Sequence, residues 1–288
     1  MSSQRLARNS RTFTAERRAE YRQQKRSEQR EAIERATRAL LSSDGWRAWA
    51  ETRATFHDYS MGNCMLIAMQ RPDATQVAGF RAWQQLGRQV RKGEHAIRIM
   101  APMAVKERDE HGQETGERVV FFRAVPVFDI AQTDGEPLPE PPSEPITGDS
   151  HERYIEQLEV HARSLGYSVA SEDLEHAGGY CDHRARRIVV SRNVEAPNAR
   201  VRVLVHELAH AHGVGYSEYG REDAEVIVET AAVIVCGSLG LDTSGESIPY
   251  IAGWGEVNDV EAIGKYAATV DEIASKLESA CGLKGGPR

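Results

Sequence analysis

The stretch DGEPLPEPPSEPITGDS, residues 134–150, limits what the rest of the chain can fold into. It holds five prolines. Each lacks an N–H to give a helix or a sheet, and each fixes φ. Such a run packs no core and reads as a semi-rigid linker. It divides the chain in two. Residues 1–133 carry 23 Lys+Arg against 16 Asp+Glu, and the remainder carries 13 against 27. A front of +7 and a back of −14 argue for two domains with different partners. With 40% apolar residues among 288, each has material for a core. The four cysteines (Cys64, Cys181, Cys236, Cys281) are far apart and form no CxxC, so neither a disulfide framework nor a cysteine zinc site is expected.

Local patterns divide the chain further. Residues 1–35 are a charged arm leading into a helix over 14–41, apolar on one face only near its end, at Ile33, Ala36 and Leu40. A helix from about Trp46 and another over GNCMLIAMQ follow, the latter stopped by Pro72. Residues 80–86 read as a short helix. HAIRIMAPM and RVVFFRAVPVFD read as two strands joined by a charged loop, KERDEHGQETGE. A small α+β module over 36–133 results. Beyond the linker, residues 151–288 predict a helix-rich domain. It has a helix over 152–165, short strands at YSVASEDL and RRIVVSRN with GGYCDHRA turning between them, and helices over 197–212, 221–239 and 257–280. The fold class is α+β in two domains.

One helix carries chemistry. VLVHELAHAHG places His206 and His210 four residues apart, on one face, where both imidazoles can reach one ion. Glu207, beside them, has the position of a general base acting on a metal-bound water. The spacing arises by chance in roughly 4 chains in 100 of this composition. The neighbours Val203, Leu204, Val205, Leu208 and Ala209 decide for a site, because buried His and Glu need partners. His212 points off that face. In REDAEVIVETAAVIVC, Glu225 and Glu229 share one face of an otherwise apolar helix. One is the third ligand and the other orients a histidine; the expected order is Glu225 on the metal and Glu229 behind it, with the reverse open.

HELAH followed by Glu-x-x-x-Glu resembles the zinc peptidases that use a glutamate as third ligand. That resemblance implies Zn2+ on His206, His210 and Glu225, with Glu207 as catalytic base. It also favours Glu225 as ligand, although Glu229 stands where those enzymes usually have Asp or Asn. The front region, with GFRAWQQLGRQVRKGE, resembles the N-terminal domain of the ArdC antirestriction proteins. This resemblance spans about 36–130 and 150–255. It implies a single-stranded-DNA-binding domain joined to a zincin-like metallopeptidase domain, on a plasmid, phage or other mobile element.

Single-strand binding needs a cationic groove and flat stacking surfaces. Arg81, Arg88, Arg91, Lys92 and Arg98 offer charge; Trp83, Phe80 and Tyr59 offer rings. Aromatics in an Ala/Leu helix more often belong to a core, so the basic run 88–92 carries the argument. The expected protein is a zinc metallopeptidase acting on a DNA-bound protein or peptide. The alternative is a non-catalytic DNA-binding protein whose metal is structural or vestigial. Tyr250 is a candidate oxyanion donor. The chain opens without a signal peptide and has no apolar run of membrane-spanning length, so a cytoplasmic setting is expected over a secreted effector role.

Overall fold

The computed structural model describes residues 15–56, 58–108, 114–137, 146–175, 177–242 and 260–283. Residues 243–259, with Tyr250, lie outside them.

Helix α1 (Ala15–Ala39) runs from the charged arm into the core at Ala36. Helix α2 (Ser43–Thr55) starts where the Ser42 hydroxyl accepts from the Gly45 N–H at 3.1 Å, satisfying one of the amides a helix start leaves open. Helix α3 (Met61–Gln70) ends at Arg71, as Pro72 requires. Strand β1 (Val77–Ala78) leads into α4 (Phe80–Gln85), then β2 (Gln89–Val90). Strands β3 (Ile97–Arg108) and β4 (Glu114–Asp129) form a long antiparallel ribbon, paired from Ile97 with Val127 to Arg108 with Glu114. The expected hairpin loop is thus shorter than its charge implied, since both strands run into KERDEHGQETGE. Ile97 and Ile99 are buried while Arg98 between them is exposed, the alternation of a strand with one covered face. Strand β5 (Thr133–Asp134) pairs with β2, so the proline-rich run begins inside the front module.

After that run, α5 (Arg153–Ser164) leads to β6 (Ser168–Glu172), β7 (Gly179–Asp182) and β8 (Arg187–Ser191), in the order β6-β8-β7. The middle strand pairs parallel with β6 and antiparallel with β7. GGYCDHRA is therefore a strand and a turn, not a turn alone. Helix α6 (Pro197–Ala211) opens on Pro197, whose missing N–H is no loss in a first turn, and stops before Gly213 at φ 102°. A single turn, α7 (Tyr216–Tyr219), precedes α8 (Arg221–Ser238); α9 (Val260–Ala280) closes the described chain.

The centre of the molecule is α8. Val226 to Val228 and Thr230 to Cys236 are all buried, so this helix is enclosed around its circumference. The α2, α6 and α9 helices pack against it. One apolar cluster therefore joins Trp46 and Trp49 of the front region to Leu204, Leu208, Ile227 and Leu277 of the back. Polar groups specify the join. The Trp46 indole donates to Thr230 Oγ1 at 3.1 Å. Arg53 on α2 reaches Asp271 at 2.6 Å and both oxygens of Glu278 on α9 at 3.0 and 2.8 Å. No helix among the described residues is long and apolar enough to cross a membrane.

Candidate functional site

Helices α6 and α8 lie side by side, and their polar residues meet in the seam. His206 and His210 sit one turn apart on α6, edge to face, with ring centroids 5.2 Å apart. Across the seam, one oxygen of Glu225 is 3.7 Å from His206 Nε2, and the other is 3.6 Å from His210 Nε2. The donor atoms of these three residues all lie within 4.8 Å of one another.

Hydrogen bonds fix which nitrogens face the seam. His206 Nδ1 is 2.9 Å from Glu229 Oε2, and His210 Nδ1 is 2.9 Å from the Val214 carbonyl. A carboxylate and a carbonyl only accept, so each Nδ1 carries a proton and donates. In the neutral rings the lone pair is then on Nε2, on the Glu225 side. Arg202 also bonds Glu229, holding it behind His206. The arrangement fits a divalent ion. Two donors about 2.1 Å from a shared ion at a tetrahedral angle lie about 3.4 Å apart, close to the separations seen here.

Charge follows this geometry. The His210 ring, then the Tyr216 hydroxyl, holds the Glu225 carboxyl down at about 2, against the opposing effect of burial. Burial pushes the Glu207 carboxyl up, and Glu225 adds to that while the two histidines oppose it. Burial lowers His210, but Glu225, the Val214 carbonyl and Glu207 outweigh it and raise the group. Glu207 itself is buried against β7. A side-chain carbon placed on Gly179 would lie 3.2 Å from Glu207 Cγ. It borders the cluster without belonging to it.

His212 turns away and pairs with His161 of α5 at 3.0 Å between Nε2 atoms. Two neighbours of the site had no motif to mark them. Tyr216 bonds Glu225 and packs edge-on to His210. His183, held by the Tyr167 hydroxyl at 3.0 Å, lies 6.5 Å from the His210 ring. Only the short glycine-bounded segment GVGYSEYG hinted at Tyr216.

The front module corrects two expected DNA contacts. Trp83 is 1% exposed and donates its indole N–H to the Phe128 carbonyl at 2.8 Å, so it presents no face for stacking. Arg88 is 8% exposed. Its guanidinium ties β5 and the start of the proline-rich run together through Thr133, Gly135 and Glu136. Arg81, Arg91, Lys92 and Arg98 are exposed, Arg91 being paired with Glu94 at 2.8 Å. Phe80 is exposed; Tyr59 is partly buried against the core.

Fold and site together define an α+β protein whose basic front module is fused through one core to a helical region with a His/His/Glu cluster. Residues 27–128 match the family described as the N-terminal domain of anti-restriction factor ArdC. An uncharacterised protein of Sinorhizobium fredii, y4eC, is 31% identical over 231 residues, 69% of this chain and 70% of that one. An uncharacterised protein of Bacillus anthracis, pXO2-81, is 27% identical over 273 residues, 79% of this chain but only 46% of that one, so the chain spans less than half of its length. Two crystal structures of the antirestriction ArdC protein from plasmid R388 superpose on this fold. The metal-free form has TM-score 0.52 and 19% identity, covering 87% of this chain and 95% of that one. The Mn(II)-bound form has TM-score 0.54 and 17% identity, covering 86% and 97%. The chain belongs to one family with y4eC, and its residues 27–128 are homologous to the N-terminal domain of anti-restriction factor ArdC.

These findings overturn the zinc-peptidase expectation. The solved chains that follow this fold almost end to end are described as antirestriction ArdC proteins, and the ion bound in one of them is Mn(II). The resemblance of HELAH to a metallopeptidase signature came from a donor set, and a donor set specifies ion binding rather than hydrolysis. The hydrolase assignment, the HExxH peptidase reading, Glu207 as catalytic base and zinc as the ion are withdrawn. The back region is largely helical with a three-stranded sheet, matching ArdC.

Proposed function

We propose that this chain is a non-catalytic, single-stranded-DNA-binding antirestriction protein whose back region holds a divalent cation. The single observation behind this reading is the convergence of two Nε2 lone pairs and the Glu225 carboxylate, in a chain similar along most of its length to an antirestriction protein. His206, His210 and Glu225 hold the cation; Glu229 orients His206 from behind. Bound there, the cation supplies positive charge that cross-links α6 to α8 and offsets the acidic groups around it. Glu207 contributes charge to the buried seam and transfers no proton.

DNA is held by the front module, about residues 36–133, with the arm at 1–35 ahead of it and residues 134–150 leading to the metal-holding region at 151–288. Exposed Arg81, Arg91, Lys92 and Arg98 give phosphates a cationic surface, and Phe80 beside Arg81 offers a ring for a base. The reading is tested by uptake of unmodified plasmid into a restricting host, together with anisotropy of a labelled single-stranded oligonucleotide. Glu207→Gln retains full protection, whereas reversing Arg81, Arg91 and Lys92 to Glu abolishes both protection and binding. Loss of protection in Glu207→Gln with oligonucleotide binding intact contradicts the non-catalytic reading.

A further inference from the structure

Each histidine of the cluster is aimed by a group behind it: Glu229 for His206 and the Val214 carbonyl for His210. Glu225 is partly exposed, on a flexible side chain, and needs the same service. Its hydroxyl donor among the described residues is Tyr216. We propose that Tyr216 is the positioning residue of the third ligand: its phenol holds Glu225 Oε1 and leaves Oε2 to address the cation. This rests on the divalent-cation reading above.

The surroundings of Tyr216 support that role. Its ring meets His210 edge-on at 5.6 Å and 84°, and the Arg221 guanidinium sits 5.9 Å above it. Although 50% exposed, the ring is thus held between two neighbours of the site. It rides on one helical turn between Gly215 and Gly220, the latter at φ 75°, where a side chain would be strained. That turn has no buried residue of its own. Tyr219 packs the turn against the core, while the Tyr216 phenol, exposed itself, is aimed by its hydrogen bond to the carboxylate.

The test uses Mn(II) alone, followed by the electron paramagnetic resonance of the free ion, on the full chain. Groups that orient metal ligands from behind change affinity by about 10- to 100-fold when removed. Tyr216→Phe keeps the ring and deletes only the hydroxyl, so the Kd for Mn(II) rises at least about 10-fold with the melting temperature unchanged. In a Glu225→Ala background the same substitution has no further effect, because the phenol acts through that carboxylate. A general structural role would weaken binding equally in both backgrounds, and that result overturns the proposal. Wild-type affinity in Tyr216→Phe overturns it while leaving the cation reading intact. Absence of Mn(II) binding by the unaltered chain overturns both.

Discussion

Arg53 offers the sharpest test of how the two regions are joined. It lies at 1% exposure between α2 and α9 and makes four hydrogen bonds, two of them to the buried carboxylate of Glu278. Burial alone would lower its pKa, but Glu278 and Asp271 more than offset that and hold the guanidinium firmly charged. In Arg53→Ala, Asp271 at 26% side-chain exposure can turn to water. Glu278 cannot, and among the described residues keeps only the Ser238 hydroxyl, at 2.6 Å. Breaking one side of a buried pair costs about 3–5 kcal/mol, a large share of the roughly 5–15 kcal/mol that holds a domain together. Urea unfolding followed by fluorescence suits the measurement, since Trp46 and Trp49 sit in the same join. Replacing both partners, Arg53→Met with Glu278→Leu, removes the stranded charge, and Ser238 retains the Ile234 carbonyl at 2.9 Å. The double variant is therefore more stable than Arg53→Ala by about 2 kcal/mol or more. A loss below about 1 kcal/mol in Arg53→Ala, or a double variant less stable than the single, would refute the argument that a desolvated charge pair governs this contact.

Lys92→Ala weakens oligonucleotide binding evenly across sequences and lowers the slope of log K against log salt by about 0.7, the value for one single-strand phosphate contact; an unchanged slope removes Lys92 from the interface. Gly179→Ala puts a carbon 2.7 Å from the Val189 carbonyl oxygen and 2.7 Å from Val203, so β7 must move off α6. Thermal unfolding should show a loss of about 1–3 kcal/mol, and wild-type stability contradicts that tight contact. Burial, reinforced by His161 and Lys276 and opposed by Glu272, lowers His212 to about 4, and burial lowers His161 as well. The unfolded chain then binds the proton first, so stability is full above the ordinary histidine value of 6.5 and is lost as pH falls from there to about 4. His212→Gln flattens melting temperature against pH in that window, and an unaltered profile excludes this pair as its source.

Much of the architecture was legible in the sequence because it depends on neighbours along the chain. Pro72 and Pro197 punctuate helices through their own ring, and Gly213 does so through a φ other residues avoid. His206 and His210 share a face by helical geometry alone, and Glu225 with Glu229 likewise. Where length was short, the signal failed: β7 is four residues beginning at Gly179, the second of two glycines, and gains its identity from pairing with β8. The composition of GFRAWQQLGRQVRKGE could not separate surface from interior. Trp83 and Arg88 lie within a basic, aromatic run, yet one caps the end of β4 and the other anchors β5.

Only tertiary structure decided the rest. The proline-rich run reads as a spacer, but it is tied down at both ends: Thr133 and Asp134 pair with β2, and the Gly148 carbonyl takes the Asn198 N–H at 3.1 Å. The enclosure of α8 by helices from both regions required Trp46 to find Thr230 across 184 residues, a contact no local pattern encodes. The order of Glu225 and Glu229 was open for the same reason. Equal spacing on one helix does not say which carboxylate stands between two rings and which stands behind one. That choice was made by how α8 is rotated and shifted against α6, which the packing of their apolar faces sets.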